Sequence, residues 1–279
     1  MEHQANGRND PLIFSRFHGE RGLPVQAVLF LLAGQFAPVQ ASQGHINARA
    51  RADYQAGQWQ RAADLAASVQ DADHQAFAAR ALLAKALLTP VNTQRGAIVN
   101  VAKDLAETAL RLEANHIEGQ LQLATALGLQ ARALSPASAF GRRLPQRVKQ
   151  LLDNVMRTAP QQAWGHALLG GWHLEGLRIG GAAARTLLGV NLQTGKAAFA
   201  QAMKLDPDEA STPFYYAASF LALDPRRNVA NARALLQRAQ NCPLRDAFQA
   251  AVKARATALI QSIDTQGPSP AARLALSWL

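Results

Sequence analysis

Residues 196–223 read KAAFAQAMKLDPDEASTPFYYAASFLAL. Together with the preceding Gly195, this stretch sets Gly195, Phe199 and Ala202 at i, i+4 and i+7. That spacing places small or apolar side chains on one helix face while Gln201 and Lys204 point elsewhere. Asp206-Pro207 then stops and restarts the chain, because proline lacks an N–H and suits a first helical position, and aspartate accepts an orphan amide of the next turn. The apolar run beyond it predicts a second helix lying back on the first. The unit is a helical hairpin.

Working outward, the same stripe recurs as Ala62, Ala66, Val69; Ala102, Ala106, Ala109; Val148, Leu152, Val155; and Ala232, Leu236, Ala239. The stripe ends lie 40, 46, 47 and 37 residues apart, inside the range of helical repeats. Fifteen residues after each end stand Ala84, Ala124, Gly170, Ala217 and Ala254, all small enough to let two helices approach closely. With that register fixed, the length variation falls within the hairpins, as insertions at 89–96, 135–144 and 176–195. Asn115-His-Ile-Glu118 reads as a cap followed three residues on by glutamate. The Gly267-Pro-Ser-Pro270 run breaks the last helix, leaving 271–279 to fold back through Leu274 and Trp278.

The pattern resembles the tetratricopeptide-repeat superfamily. Gly195, Phe199, Ala202 and Pro207 match its second helix, Leu169-Gly170 and Tyr216-Ala217 its large-small pair, and Gly57-Gln-Trp59-Gln-Arg-Ala62 its mid-repeat turn. The likeness covers Ile46 to about Ile263, and the period here exceeds the roughly 34 residues of that family. The segment WGHALLGGWHLEGLRIGG (164–181) with AMKLDPD (202–208) is also similar to TatT-like components associated with TRAP transporters. The resemblance implies an all-α solenoid of about five helical hairpins over 42–266, with 267–279 as a C-terminal cap or lid. It further implies a concave, largely apolar groove faced by Lys85, Glu118, Leu121, Thr125, Trp164, Glu175, Phe214 and Leu221. The competing reading of these residues is packing between helices.

Composition agrees with an all-α protein. Of 279 residues 49% are apolar, and alanine makes up roughly a fifth, while β-branched valine and isoleucine are few. Arg16 and Arg21, then the apolar run 25–33, then Val39-Gln-Ala41 before Ser42 follow the order of a secretory leader over 1–41, with cleavage after Ala41. An uncleaved membrane anchor is the alternative. The protein is thus expected to be exported, to the periplasm. The formal charge of +10 lies wholly beyond residue 41, because the first 41 residues hold three basic and three acidic side chains. The charge reads either as compositional bias with a solvated basic surface or as attraction to an anionic partner, and export favours an envelope surface over nucleic acid for the latter; the basic insertion with Arg142 and Arg143 is the alternative to the groove as a binding place. A single cysteine, Cys242, excludes an intramolecular disulfide.

Motifs for catalysis are weak. The nearest approach to a phosphate loop, Gly189 to Ala197, has five residues between its glycines and ends Lys196-Ala197 where a Ser or Thr is needed. His166 and His173 are two helical turns apart, about 10 Å along the axis, too far to share one zinc without other ligands. No cofactor, metal or catalytic residues are therefore expected. The sequence points to a binding protein that takes a peptide, a protein or an apolar ligand in its concavity.

Overall fold

The protein, seen in a computed structural model, is described over residues 46–279. The leader expected over 1–41 lies outside the described residues. Among the described residues there are thirteen helices and no strand. They are α1 (Ala48–Gln55), α2 (Trp59–Ala67), α3 (Ala72–Leu88), α4 (Thr93–Leu112), α5 (Ile117–Arg132), α6 (Pro136–Gly141) and α7 (Leu144–Thr158). There follow α8 (Ala163–Leu188), α9 (Leu192–Leu205), α10 (Ser211–Leu223), α11 (Pro225–Asn241), α12 (Ala247–Gln266) and α13 (Pro268–Trp278). Helices pack as chain neighbours: α3 on α4, α5 on α7, α8 on α9 and α10 on α11. Among these helices, none is long and apolar enough to cross a membrane.

Short polar side chains set the starts. Asn47, Asp71, Asn92, Asn191, Asp224 and Asp246 each accept an amide of the first turn. Two boundaries differ from the sequence reading. Helix α5 is capped by His116, whose Nδ1 accepts from Gly119 N at 3.1 Å while Nε2 meets Asp73 at 2.9 Å, so Asn115 stays outside. Asp206 ends α9 but does not begin α10. Its carboxylate receives Arg245 at 2.9 and 3.0 Å, and α10 starts at Ser211, whose amide donates to Glu209 at 3.0 Å.

The repeated stripes face inward: every member except Val69 is buried. The small-residue register holds at Ala84, Ala124, Gly170 and Ala217, but Ala254 is exposed. Helix α12 packs against α13 as well as α11, and its buried stripe is Phe248, Val252, Ala256 and Leu259. Gly267, at φ 89°, allows the break after which α13 folds back on α10, α11 and α12. There Trp278 packs near Phe214, with ring centroids 6.4 Å apart, and the Arg255 guanidinium lies 5.1 Å from the Trp278 ring. Cys242 is a free, buried thiol.

One core joins the two ends of the described chain. Tyr54, Phe77 and Leu83 of the first helices share it with Phe214, Leu221, Leu236, Leu259 and Ala275 of the last. Arg255 of α12 donates to the Leu87 carbonyl of α3 at 2.9 Å. The inward faces of these helices line a space that is partly open to solvent.

Candidate functional site

That space is a cavity of about 1140 Å³. It lies at or above the upper end of the ~300–1,000 Å³ that small-molecule sites occupy. Helical periodicity builds its walls. Thr125, Gly128, Leu129 and Arg132 of α5 stand at i, i+3, i+4 and i+7, and Trp164, Leu168, Trp172, Glu175 and Ile179 of α8 continue the same spacing. Arg95 and Val99 of α4, Phe140 of α6, Tyr215 and Ser219 of α10, and Leu276 and Leu279 at the end of α13 complete it. Most of these side chains are apolar.

Several polar liners are already paired. Thr125 Oγ1 donates to the Leu121 carbonyl at 2.9 Å, Gln130 donates to Asn100 at 2.8 Å, and Trp172 Nε1 donates to the Pro145 carbonyl at 3.0 Å. The charged side chains on the wall are four arginines, Arg95, Arg132, Arg142 and Arg178, and one carboxylate, Glu175; Arg95 and Arg132 also donate to the oxygen of the last residue, Leu279. Glu175 receives Arg132 Nε at 3.1 Å and Arg178 Nε at 2.8 Å. Burial opposes its ionisation, but Arg132 and Arg178 outweigh that and hold its pKa below the ordinary carboxylate value. Arg95 is only 6% exposed, and its pKa is lowered first by burial and next by Arg132. Burial pushes the Tyr215 hydroxyl up to about 12, and that hydroxyl is enclosed without a hydrogen-bond partner among the described residues.

Of the residues named from the sequence, the structure brings Thr125, Trp164, Glu175 and Arg142 together on the cavity wall. Leu121, Phe214 and Leu221 are fully buried in the core. Lys85 donates to Gln60 at 2.8 Å, and Glu118 accepts from Gln122 at 2.9 Å and stands 3.7 Å from Arg80, both away from the cavity. Arg143 is exposed and enters α7 with left-handed backbone, φ 55°. Sequence reasoning missed Arg95, Arg132, Arg178 and Tyr215. The i, i+7 step from Thr125 and the i, i+3 step from Glu175 carried a signal for Arg132 and Arg178.

His166 and His173 do not form a joint site. His173 is buried, its Nδ1 accepts from Asn191 N at 3.1 Å, and burial lowers its pKa, while His166 meets the Pro160 carbonyl at 2.8 Å. Among the described residues no group of three or more His, Cys, Asp or Glu side chains comes together to hold a metal. Compared with known proteins, the chain matches no family model and no curated protein.

Proposed function

We propose that the protein is a non-catalytic, TPR-like helical-repeat binding protein whose cavity takes an elongated apolar ligand. The observation that carries this reading is the cavity of about 1140 Å³ walled mainly by apolar side chains from α4, α5, α6, α8, α10 and α13. Apolar surface of that extent gains free energy when a ligand replaces the water in it. The same reading accommodates a TatT-like ligand-binding component. Export to the periplasm rests on the charged, apolar and small-residue order of 1–41, and attraction to an anionic envelope surface rests on the formal charge of +10.

Capture of an apolar peptide or protein segment is the second reading. It is favoured by Val91, Phe140, Ile179 and Leu187, which border the cavity and are themselves exposed.

Gly128 tests the first reading. A Cβ there meets nothing within 4 Å, and the residue lines the cavity. Gly128→Phe should put a ring into the space without disturbing the helices. Titration with an uncharged fluorescent apolar probe should show saturable binding to wild type and altered affinity or emission with the variant, with both proteins melting alike. Equal binding and equal emission with a folded Gly128→Phe would refute the cavity as the site.

A further inference from the structure

We propose that the opening of the cavity seats on an anionic lipid bilayer, its exposed apolar side chains entering the hydrocarbon while Arg142, Arg143 and Arg185 meet the phosphates. The proposal rests on the apolar-ligand reading above and adds the place where such a ligand enters and leaves.

The first observation is where the exposed apolar side chains fall. Among the described residues eight large apolar side chains are exposed, and five of them, Val91, Phe140, Ile179, Leu187 and Leu276, line the cavity. A side chain that both lines a cavity and faces solvent stands at its opening. Exposed apolar residues scattered singly are ordinary, but a cluster gathered around one opening marks a contact surface. These five come from four separate segments, the turn before α4, α6, the extension of α8, and α13, so the fold and not a local run of sequence assembles them.

The second observation is the charge beside them. The segments 89–96, 135–144 and 176–195 hold five arginines and no aspartate or glutamate. Two of the five turn inward: Arg95 donates to the Leu279 oxygen, and Arg178 pairs with Glu175. The other three, Arg142, Arg143 and Arg185, are exposed and have no ion pair among the described residues. Glu175, the one carboxylate side chain on the cavity wall, is taken by Arg132 and Arg178. The opening therefore carries positive charge that nothing beside it neutralises.

The two features together select the partner. A bilayer containing anionic lipid presents phosphates at its surface and hydrocarbon beneath them, so neighbours such as Phe140 and Arg142 are both satisfied by one approach. A protein partner would need carboxylates and apolar side chains set out to match four separate segments. The bilayer also suits the cavity. An apolar ligand that leaves through this opening into water exposes its surface again, whereas one that passes straight into lipid does not.

The test is flotation of the full chain with vesicles of phosphatidylglycerol and phosphatidylcholine, without added ligand. Wild type should associate with them more tightly than with phosphatidylcholine alone. Replacing Arg142, Arg143 and Arg185 together by glutamine should weaken that association about a hundredfold, since each basic side chain close to an anionic surface is worth about fivefold. Added salt should weaken wild type in the same direction. The apolar run at 25–33 is common to both chains, so the difference between them reports the opening. Insertion is read separately. Leu187→Cys, labelled with a polarity-sensitive dye while Cys242 stays buried, should shift its emission to the blue on anionic vesicles, and Leu112→Cys, exposed but not on the cavity, should not. Equal association of wild type and the arginine variant, including none by either, would overturn the proposal, as would an unshifted dye at 187 on vesicle-bound protein. A mass that doubles with concentration and falls back in Phe140→Ser would assign the opening to a second copy, and tighter capture of an apolar peptide than of vesicles would assign it to a protein; either overturns the proposal. Probe titration of the cavity is done without lipid, so failure here leaves the apolar-ligand reading standing.

Discussion

Adjacent glycines on α8 offer a sharp test of how the helices meet. A Cβ at Gly170 would stand 2.5, 2.8 and 2.9 Å from Cδ2, Cγ and Cε2 of Phe199. That ring is 1% exposed and stacks on Tyr216 with centroids 4.4 Å apart and planes 11° from parallel, so it cannot move aside without shifting α10. One residue on, a Cβ at Gly171 would meet only Phe199 Cζ, at 4.0 Å. Both sites lie inside the helix, so both Gly→Ala changes gain about 1 kcal/mol of helix propensity. At 170 that gain is set against about 1–3 kcal/mol of overpacking. Gly171→Ala should therefore be more stable than wild type, and Gly170→Ala less stable than Gly171→Ala by about 1–3 kcal/mol. Thermal unfolding followed by circular dichroism should separate the two by roughly 2–4 °C per kcal/mol. If Gly170→Ala melts with or above Gly171→Ala, the close contact of α8 with α9 is refuted.

Other expectations concern titration and reactivity. Because Glu175 ionises more readily in the folded state than its ordinary value of 4.5, its stabilisation is present above that pH and is lost as pH falls through the folded value. Glu175→Gln should have a lower urea midpoint than wild type at pH 7 and converge with it below pH 4.5, and parallel profiles would refute the ion pairs. His173 has the opposite charge type: its pKa is lowered from 6.5 by burial, so protonation favours the unfolded chain and stability declines as pH falls below 6.5. His173→Asn, which keeps an acceptor for Asn191 N, should flatten that part of the stability profile, and an unchanged slope would argue against it. Burial raises the Cys242 pKa and leaves the residue 6% exposed, so a thiol reagent should label it only after unfolding in guanidinium. Prompt labelling of the native protein would refute its enclosure.

The helices and their inward stripes were legible because a 3.6-residue period survives in the chain without reference to distant partners. Which side of α10 faces the cavity was not. Phe214 and Tyr215 are adjacent and similar, but a step of one residue turns the side chain by roughly 100° around the helix. Phe214 lies in the core and Tyr215 lines the cavity. The closure of the array was equally hidden, since contacts such as Arg255 to Leu87 join residues 168 positions apart and leave no local trace. Arg95 is the hardest case. It follows Asn92 in an insertion, where a basic residue reads as a solvated one, yet in the fold it is buried and donates to the Leu279 oxygen.

The departures from the repeat add one part of the cavity wall. The insertion at 89–96 supplies Val91, Asn92 and Arg95; that at 135–144 supplies Pro136, Phe140 and Arg142 through α6; and that at 176–195 supplies Arg178, Ile179 and Leu187 by extending α8. Gly181, at φ 51° and ψ −125°, bends that extension, a conformation open to glycine and strained for other residues. Regular hairpins could pack without any of these segments, because the stripes that hold them together, such as Ala102, Ala106 and Ala109, lie outside the insertions. Where local pattern and global fold agree, a residue serves stability; where the chain breaks its own period, it is spending length on something else. Shortening α8 beyond Gly181 should therefore open the cavity and weaken ligand retention while sparing the stacked Phe199 and Tyr216, which join α9 to α10 and pack against α8 at Gly170, well before the shortened part.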